Sequence, residues 1–317
     1  MFICDIDITH ANFTKNNDIT PTKRGKMAIL LVVVPLLGCA KVLFQGKAVK
    51  SYVHNIVDSL VFVTVVFATV CICLAAMYLR TMPSSSTMWL GILLGLCNVV
   101  FQVSYNLAMA RGPVSLTGVC TNFSIVVPLI VGFTVLGEAF TLTKGIALAL
   151  VAVAFVLMQR KDGDKKANLV WLLLTLCATL SAGVSNVVMS VFKTLPVADE
   201  RNLLIIVSNG FAAVLSIVTA LVFGAFRKRS EGKLLMPMSV PDLLWSLFAG
   251  VTLAVYQPLS MLALTAIDVT VYYPVTGALA VIFLMVSGII IFREKPSAKQ
   301  LVGAAMGLVA VVLLNLR

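Results

Sequence analysis

Charge is scarce in this chain, and acid is scarcer than base. Of 317 residues only 12% are charged, with 13 Asp and Glu against 24 Lys and Arg. Histidine is nearly absent, limited to His10 and His54. That shortage excludes the HExxH and Asp-rich signatures of a metal-dependent enzyme in the membrane. There is no GxxxxGK[ST] loop, which argues against an ATP-driven pump. The seven cysteines include no CxxC pair with histidines at zinc spacing, and six of them fall inside apolar runs. They read as small apolar fillers, not as a metal or redox site. No motif calls for a cofactor or a metal, and the chain is not expected to be an enzyme.

What is abundant is apolar surface. The chain is 60% hydrophobic, with a mean hydropathy of +1.04. A soluble domain cannot hide that much, so the expected class is an all-α polytopic membrane protein. The net charge of +11 comes from basic residues placed between apolar runs. This is the distribution of juxtamembrane loops, and it argues against nucleic acid as a partner. Residues 1–26 are polar, lack the apolar region of a cleavable signal peptide, and read as a disordered leader. Ten spans are expected, at 27–46, 60–79, 87–110, 114–136, 144–158, 168–192, 202–226, 242–264, 269–292 and 298–316.

The last two spans form a hairpin around Arg293-Glu294-Lys295-Pro296-Ser297, and a similar hairpin turns at Gly137-Glu138. Glu138 and Glu294 lie 156 residues apart, and the same shift sets Ala108 on Leu264 and Val135 on Ile291. A hairpin that recurs half a chain later implies an internal repeat. The organisation read from this is a first five-helix repeat at 27–158, a basic linker at 159–167 and a second five-helix repeat at 168–317. An odd number of spans per repeat makes the second copy enter the membrane from the opposite side, so the two halves are expected to be inverted. That is the architecture of an alternating-access transporter.

Several motifs resemble the drug/metabolite transporter superfamily, in particular its EamA-type ten-helix carriers. They are Leu136-Gly137-Glu138, Phe292-Arg293-Glu294, Leu37-Gly38-Cys39-Ala40-Lys41 and Tyr105-Asn106-Leu107-Ala108-Met109-Ala110. The resemblance covers nearly the whole chain from residue 27. It implies transport of a small metabolite or drug-like solute, and cytoplasmic termini. The distribution of Lys and Arg between loops points instead to termini outside. Two departures stand out. Arg293 occupies the place of the first hairpin's Gly, and the mid-helix Pro128 has Leu284 as its repeat counterpart.

Polar residues within the spans fall on helical stripes. Gly91, Gly95, Asn98, Gln102, Tyr105 and Met109 share one face; Thr175, Thr179, Gly183, Asn186, Ser190 and Lys193 share another; Ser246, Gly250, Gln257 and Ser260 a third. Amides cannot face lipid unsatisfied, so these stripes face other helices or a water-filled cavity. The candidate substrate-binding residues are Lys41, Gln102, Tyr105, Asn122, Asn186, Gln257 and Tyr273. Lys41 is the one strong charge well inside a span. It either meets an anionic or zwitterionic substrate or snorkels to the interface. Glu138 and Glu294 are read as structural caps or ion pairs, with a gate or proton site as the alternative. Repeat symmetry places spans 1, 3 and 4 against spans 6, 8 and 9 around a cavity, with spans 5 and 10 outside it. Gly91-x-x-x-Gly95 and Gly303-x-x-x-Gly307 suit close packing inside one protomer or a homodimer face. The expected function is a secondary carrier of a small molecule in the lipid bilayer, at the plasma membrane. The alternatives are a membrane-embedded enzyme, a channel or a non-transporting scaffold.

Overall fold

The computed structural model describes residues 21–127, 165–231, 237–266 and 269–313, with isolated helical positions between 145 and 157. Among the described residues there are nine α-helices and no strands. They are α1 (Pro21–Tyr52), α2 (Ile56–Tyr78), α3 (Ser85–Arg111), α4 (Val114–Thr121), α5 (Lys165–Thr194), α6 (Arg201–Glu231), α7 (Val240–Ala266), α8 (Val269–Ile291) and α9 (Ala298–Leu313). Most of the expected fifth span, at 144–158, lies outside the described residues, as do Glu138 and Pro128.

Six helices are long and apolar enough to cross a bilayer: α1 over Ile29–Tyr52, α2, α3, α5 over Leu169–Phe192, α6 over Arg201–Phe226 and α7 over Val240–Leu264. Polarity is arranged for lipid as solvent. Ile72, Trp89, Phe226 and Ile290 are about 70% exposed, while Gln45, Asp58, Gln102, Asn106 and Asn209 are at most 1% exposed. Water would reverse that order; hydrocarbon favours it, because polar groups must find partners inside the bundle. The protein is a multi-pass integral membrane protein.

The first span continues to Tyr52 instead of ending at 46. Ala48 and Val49 are buried while Lys47 and Lys50 point outward, so the chain remains amphipathic and helical past the apolar run. It stops where Asn55 caps α2 by accepting from the Asp58 N–H at 3.0 Å. The expected continuous fourth span is also interrupted. After α4 the chain tightens into a 3-10 turn, Asn122–Ile125. There the Thr121 hydroxyl and the Asn122 amide both donate to the Gly118 carbonyl, at 2.8 and 2.9 Å, competing with the helical ladder.

The helices of the two halves interleave. α1 packs on α7 and α8, α2 on α6 and α7, and α3 on α5 and α6. α4 rests on α5 and α8, and α9 lies against α8. Glycines set the closest crossings. A Cβ on Gly95 would stand 2.6 Å from the Ser208 carbonyl of α6, and one on Gly91 2.6 Å from Val207. The Gly91/Gly95 pair is thus used within the protomer.

Candidate functional site

At the centre of the bundle, where helices of both halves meet, is a cavity of about 340 Å³. That is the lower end of the range for small-molecule sites, about 300–1,000 Å³. The stripe on α3 divides here. Its glycines pack on α6, whereas Asn98, Gln102 and Tyr105, further along α3, line the cavity. The stripe on α7 divides too. Gly250 abuts Thr69 of α2 and the Ser246 hydroxyl donates to the Asp242 carbonyl, while Gln257 and Ser260 reach the cavity. On α5, Thr175 and Thr179 donate to backbone carbonyls one turn back, and Asn186 is in the lining.

Lys41 comes from the middle of α1 and is 7% exposed. Of the two expected alternatives, this burial favours the cavity over the interface. Its ammonium donates to Gln102 Oε1 at 3.3 Å and stands 5.6 Å from the Tyr105 ring centroid and 6.0 Å from that of Phe101. Gln102 is itself 1% exposed, and its Nε2 has no acceptor among the described residues. Gln45, which shares a helix face with Lys41, turns elsewhere. Its Nε2 donates to Asn106 Oδ1, and Asn106 Nδ2 donates to the Ser59 hydroxyl at 3.3 Å, forming a chain that ties α1, α3 and α2 together.

The opposite wall is held by paired polar groups. Gln257 Oε1 accepts from Asn209 Nδ2 at 2.9 Å, Asn186 Nδ2 donates to the Ser124 hydroxyl at 3.3 Å, and the Ser260 and Tyr272 hydroxyls are 2.7 Å apart. Tyr256 lies over Gly38, where the missing side chain admits its ring.

Six of the seven sequence-predicted binding residues, Lys41, Gln102, Tyr105, Asn122, Asn186 and Gln257, therefore line one cavity. The Tyr273 side chain is outside the described residues, and it is the neighbouring Tyr272 that borders the cavity. Thr121 and Thr276 are lining residues that the stripes did not single out. Glu294 is elsewhere. It takes up the N-terminus of α4, accepting from the Val114 N–H at 2.5 Å, the Ser115 N–H at 3.3 Å and the Ser115 hydroxyl. That is the cap among the expected alternatives, and it joins the two halves.

No protein-family model matches the chain, and no curated protein sequence does. Solved structures match in fold, 28 chains in all. One of them, described only as "Crystal structure of protein", has a TM-score of 0.58 and 14% identity, covering 91% of this chain and 95% of its own. At that identity the likeness is one of fold, extending over nearly the whole of both chains.

Proposed function

We propose that this protein is a secondary carrier, similar to the EamA-type drug/metabolite transporters, that moves a small solute across the plasma membrane by alternating access. The observation that carries this reading is the central cavity. It carries amides, hydroxyls and a buried lysine inside an apolar bundle, and helices from both halves of the chain build it. A bilayer-spanning protein gains nothing in stability from a buried lysine with no counter-ion among the described lining residues, so its presence points to a ligand.

The helix pairing supports two inverted five-helix repeats. Exchanging α1–α4 with α5–α8 in order turns the α1–α7 contact into α5–α3, α1–α8 into α5–α4, and α2–α7 into α6–α3, while α2–α6 maps on itself. An inverted repeat gives one packing two equivalent states, open to opposite sides. Solute counterflow in proteoliposomes tests the proposal. A carrier loaded with unlabelled substrate accelerates entry of labelled substrate; a channel or scaffold shows no trans-acceleration over a metabolite library.

A further inference from the structure

We infer that Lys41 and Gln102 form a subsite for the carboxylate of a monoanionic solute whose apolar body fills the rest of the cavity. The inference takes the carrier reading as its frame, but its first measurement is binding, which does not depend on transport.

The argument starts with charge. Among the described residues lining the cavity there is no Asp, Glu, Arg or His, and Lys41 is the sole lysine. Its ammonium meets one neutral amide oxygen and the rings of Tyr105 and Phe101. Such neighbours compensate a desolvated charge only in part. Next comes the amide. Lys41 fixes the orientation of Gln102, because the flipped amide would turn N–H toward the ammonium. So oriented, Gln102 leaves Nε2 buried and without an acceptor. Two groups on adjoining helices thus keep spare donors in the same cavity: the Lys41 ammonium meets one acceptor with three N–H bonds, and Gln102 Nε2 meets none among the described residues. Their complement is a group that only accepts and carries one negative charge. An ionised carboxylate has two such oxygens and that charge.

Other anions and zwitterions fit less well. A phosphate dianion would bring a second charge with no second cation to meet it. A zwitterion would pair its carboxylate with Lys41 but leave its own ammonium without an anion, since no Asp or Glu is among the described lining residues. On the opposite wall the polar groups of Gln257, Asn186 and Ser260 are paired with protein partners, and between them Val34, Phe67, Leu94, Leu253 and Leu284 offer apolar surface to a hydrocarbon body.

The test is ligand-induced thermal stabilisation of the purified full-length protein. The probes are a series of monocarboxylates from acetate and butyrate to octanoate, benzoate and phenylacetate. Phenyl phosphate, phenylalanine and phenethylamine provide the same ring with other charges. At least one monocarboxylate is expected to raise Tm, and phenyl phosphate and the amines are not. Lys41→Met should weaken carboxylate binding at least about tenfold, as loss of one member of a buried charge pair does. Lys41→Arg should restore it only in part.

Gln102→Glu guards against a Lys41 variant that merely misfolds. It places an internal carboxylate beside Lys41, so the ligand-free protein should melt higher than wild type while the carboxylate-induced shift disappears. The subsite is overturned if no monocarboxylate stabilises the wild type, if phenyl phosphate or phenylalanine binds as well, or if Gln102→Glu keeps the shift. Carboxylate binding without counterflow would sink the carrier reading and leave the subsite standing. Counterflow of another solute class, with no carboxylate bound, would do the reverse.

Discussion

The two ends of the bundle are tied differently. At one end lie the C-termini of α1, α3 and α8 and the N-termini of α4 and α7. There Glu294 holds the start of α4, Lys50 donates to the Gly112 carbonyl at 2.7 Å, and the Ser51 hydroxyl bonds the Asp242 carboxylate. At the other end the N-terminus of α3 meets the turn before α6. Among the described residues the tie there is Glu200, which accepts from the Ser84 N–H and hydroxyl, both at 2.9 Å. The cavity follows this asymmetry. On α4 its lining begins at Gly118, one turn in from the heavily tied end. Toward the lightly tied end it reaches Ile205 and Ser208 near the start of α6 and Tyr272 near the start of α8. The same device, a carboxylate from the second half on a helix N-terminus of the first, appears at both ends. Bonds of this kind can be exchanged for water without stranding a buried ion pair, as the proposed carrier reading requires of contacts that break and remake.

Breaking the stronger tie should have the largest effect. Glu294→Ala removes the acceptor for the Val114 and Ser115 donors, three groups at a partly buried helix start. A loss of roughly 2 kcal/mol is expected, from the cost of a missing cap and of unpaired donors. Denaturant unfolding in detergent micelles measures it. The same variant should let a membrane-impermeant maleimide reach Thr121→Cys, in a background without other cysteines, from the Glu294 end. Unchanged stability and labelling would show that this end is closed by something other than the Glu294 cap.

The weaker tie can be titrated. Hydrogen bonds from the Thr87 hydroxyl and then the Ser84 N–H hold the Glu200 carboxyl below the usual carboxylate range. A group with a lowered folded value stabilises fully above its unfolded value, about 4.3 for Glu. That contribution is lost as pH falls through the lowered value. Glu200→Gln should therefore melt below wild type near neutral pH, by less than Glu294→Ala does. The two melting curves should converge in acid, well below about pH 4. A difference that persists there would mean that the amide disturbs the turn for reasons other than charge.

Much of this comparison was legible in the sequence, but not its partners. The period of the stripes placed Gln102, Asn186 and Gln257 on inward faces, because an amide cannot face lipid. Period alone does not say what an inward face meets, so Gly95 and Gln102 read alike although one touches α6 and the other a cavity. Tyr272 and Tyr273 are neighbours about 100° apart on a helix, and apolar residues on both sides give no basis for choosing between them. Glu294 was readable as a cap, whereas its target lies 180 residues earlier at Val114 and depends on how the halves dock. The burial of Lys41 needed the helix to run on to Tyr52, past the end of the apolar run. The 3-10 turn after α4 accompanies Thr121 and Asn122 both donating to the Gly118 carbonyl, a local competition that an apolar run does not reveal.

The smallest predicted effect sharpens the comparison at the strongly tied end. Arg293 has a φ of 51° and directs the chain out of α8, so that the Glu294 N–H returns to the Gly288 carbonyl at 3.0 Å and the carboxylate faces α4. That backbone conformation costs an L-residue about 1–2 kcal/mol and costs glycine almost nothing, which is why glycine commonly follows a helix there. The sequence departs from its own first hairpin at this point, with Arg293 where Gly137 stands. Arg293→Gly should relieve the strain, but glycine also gives the unfolded chain more freedom, an opposing contribution of about 0.4–1 kcal/mol. The net expectation is a gain of about 0.5 kcal/mol in unfolding free energy, and Glu294→Ala should remain just as damaging in that background. A loss of stability instead would mean that the Arg293 side chain contributes more than its backbone costs. The turn that aims Glu294 would then be held by the arginine itself.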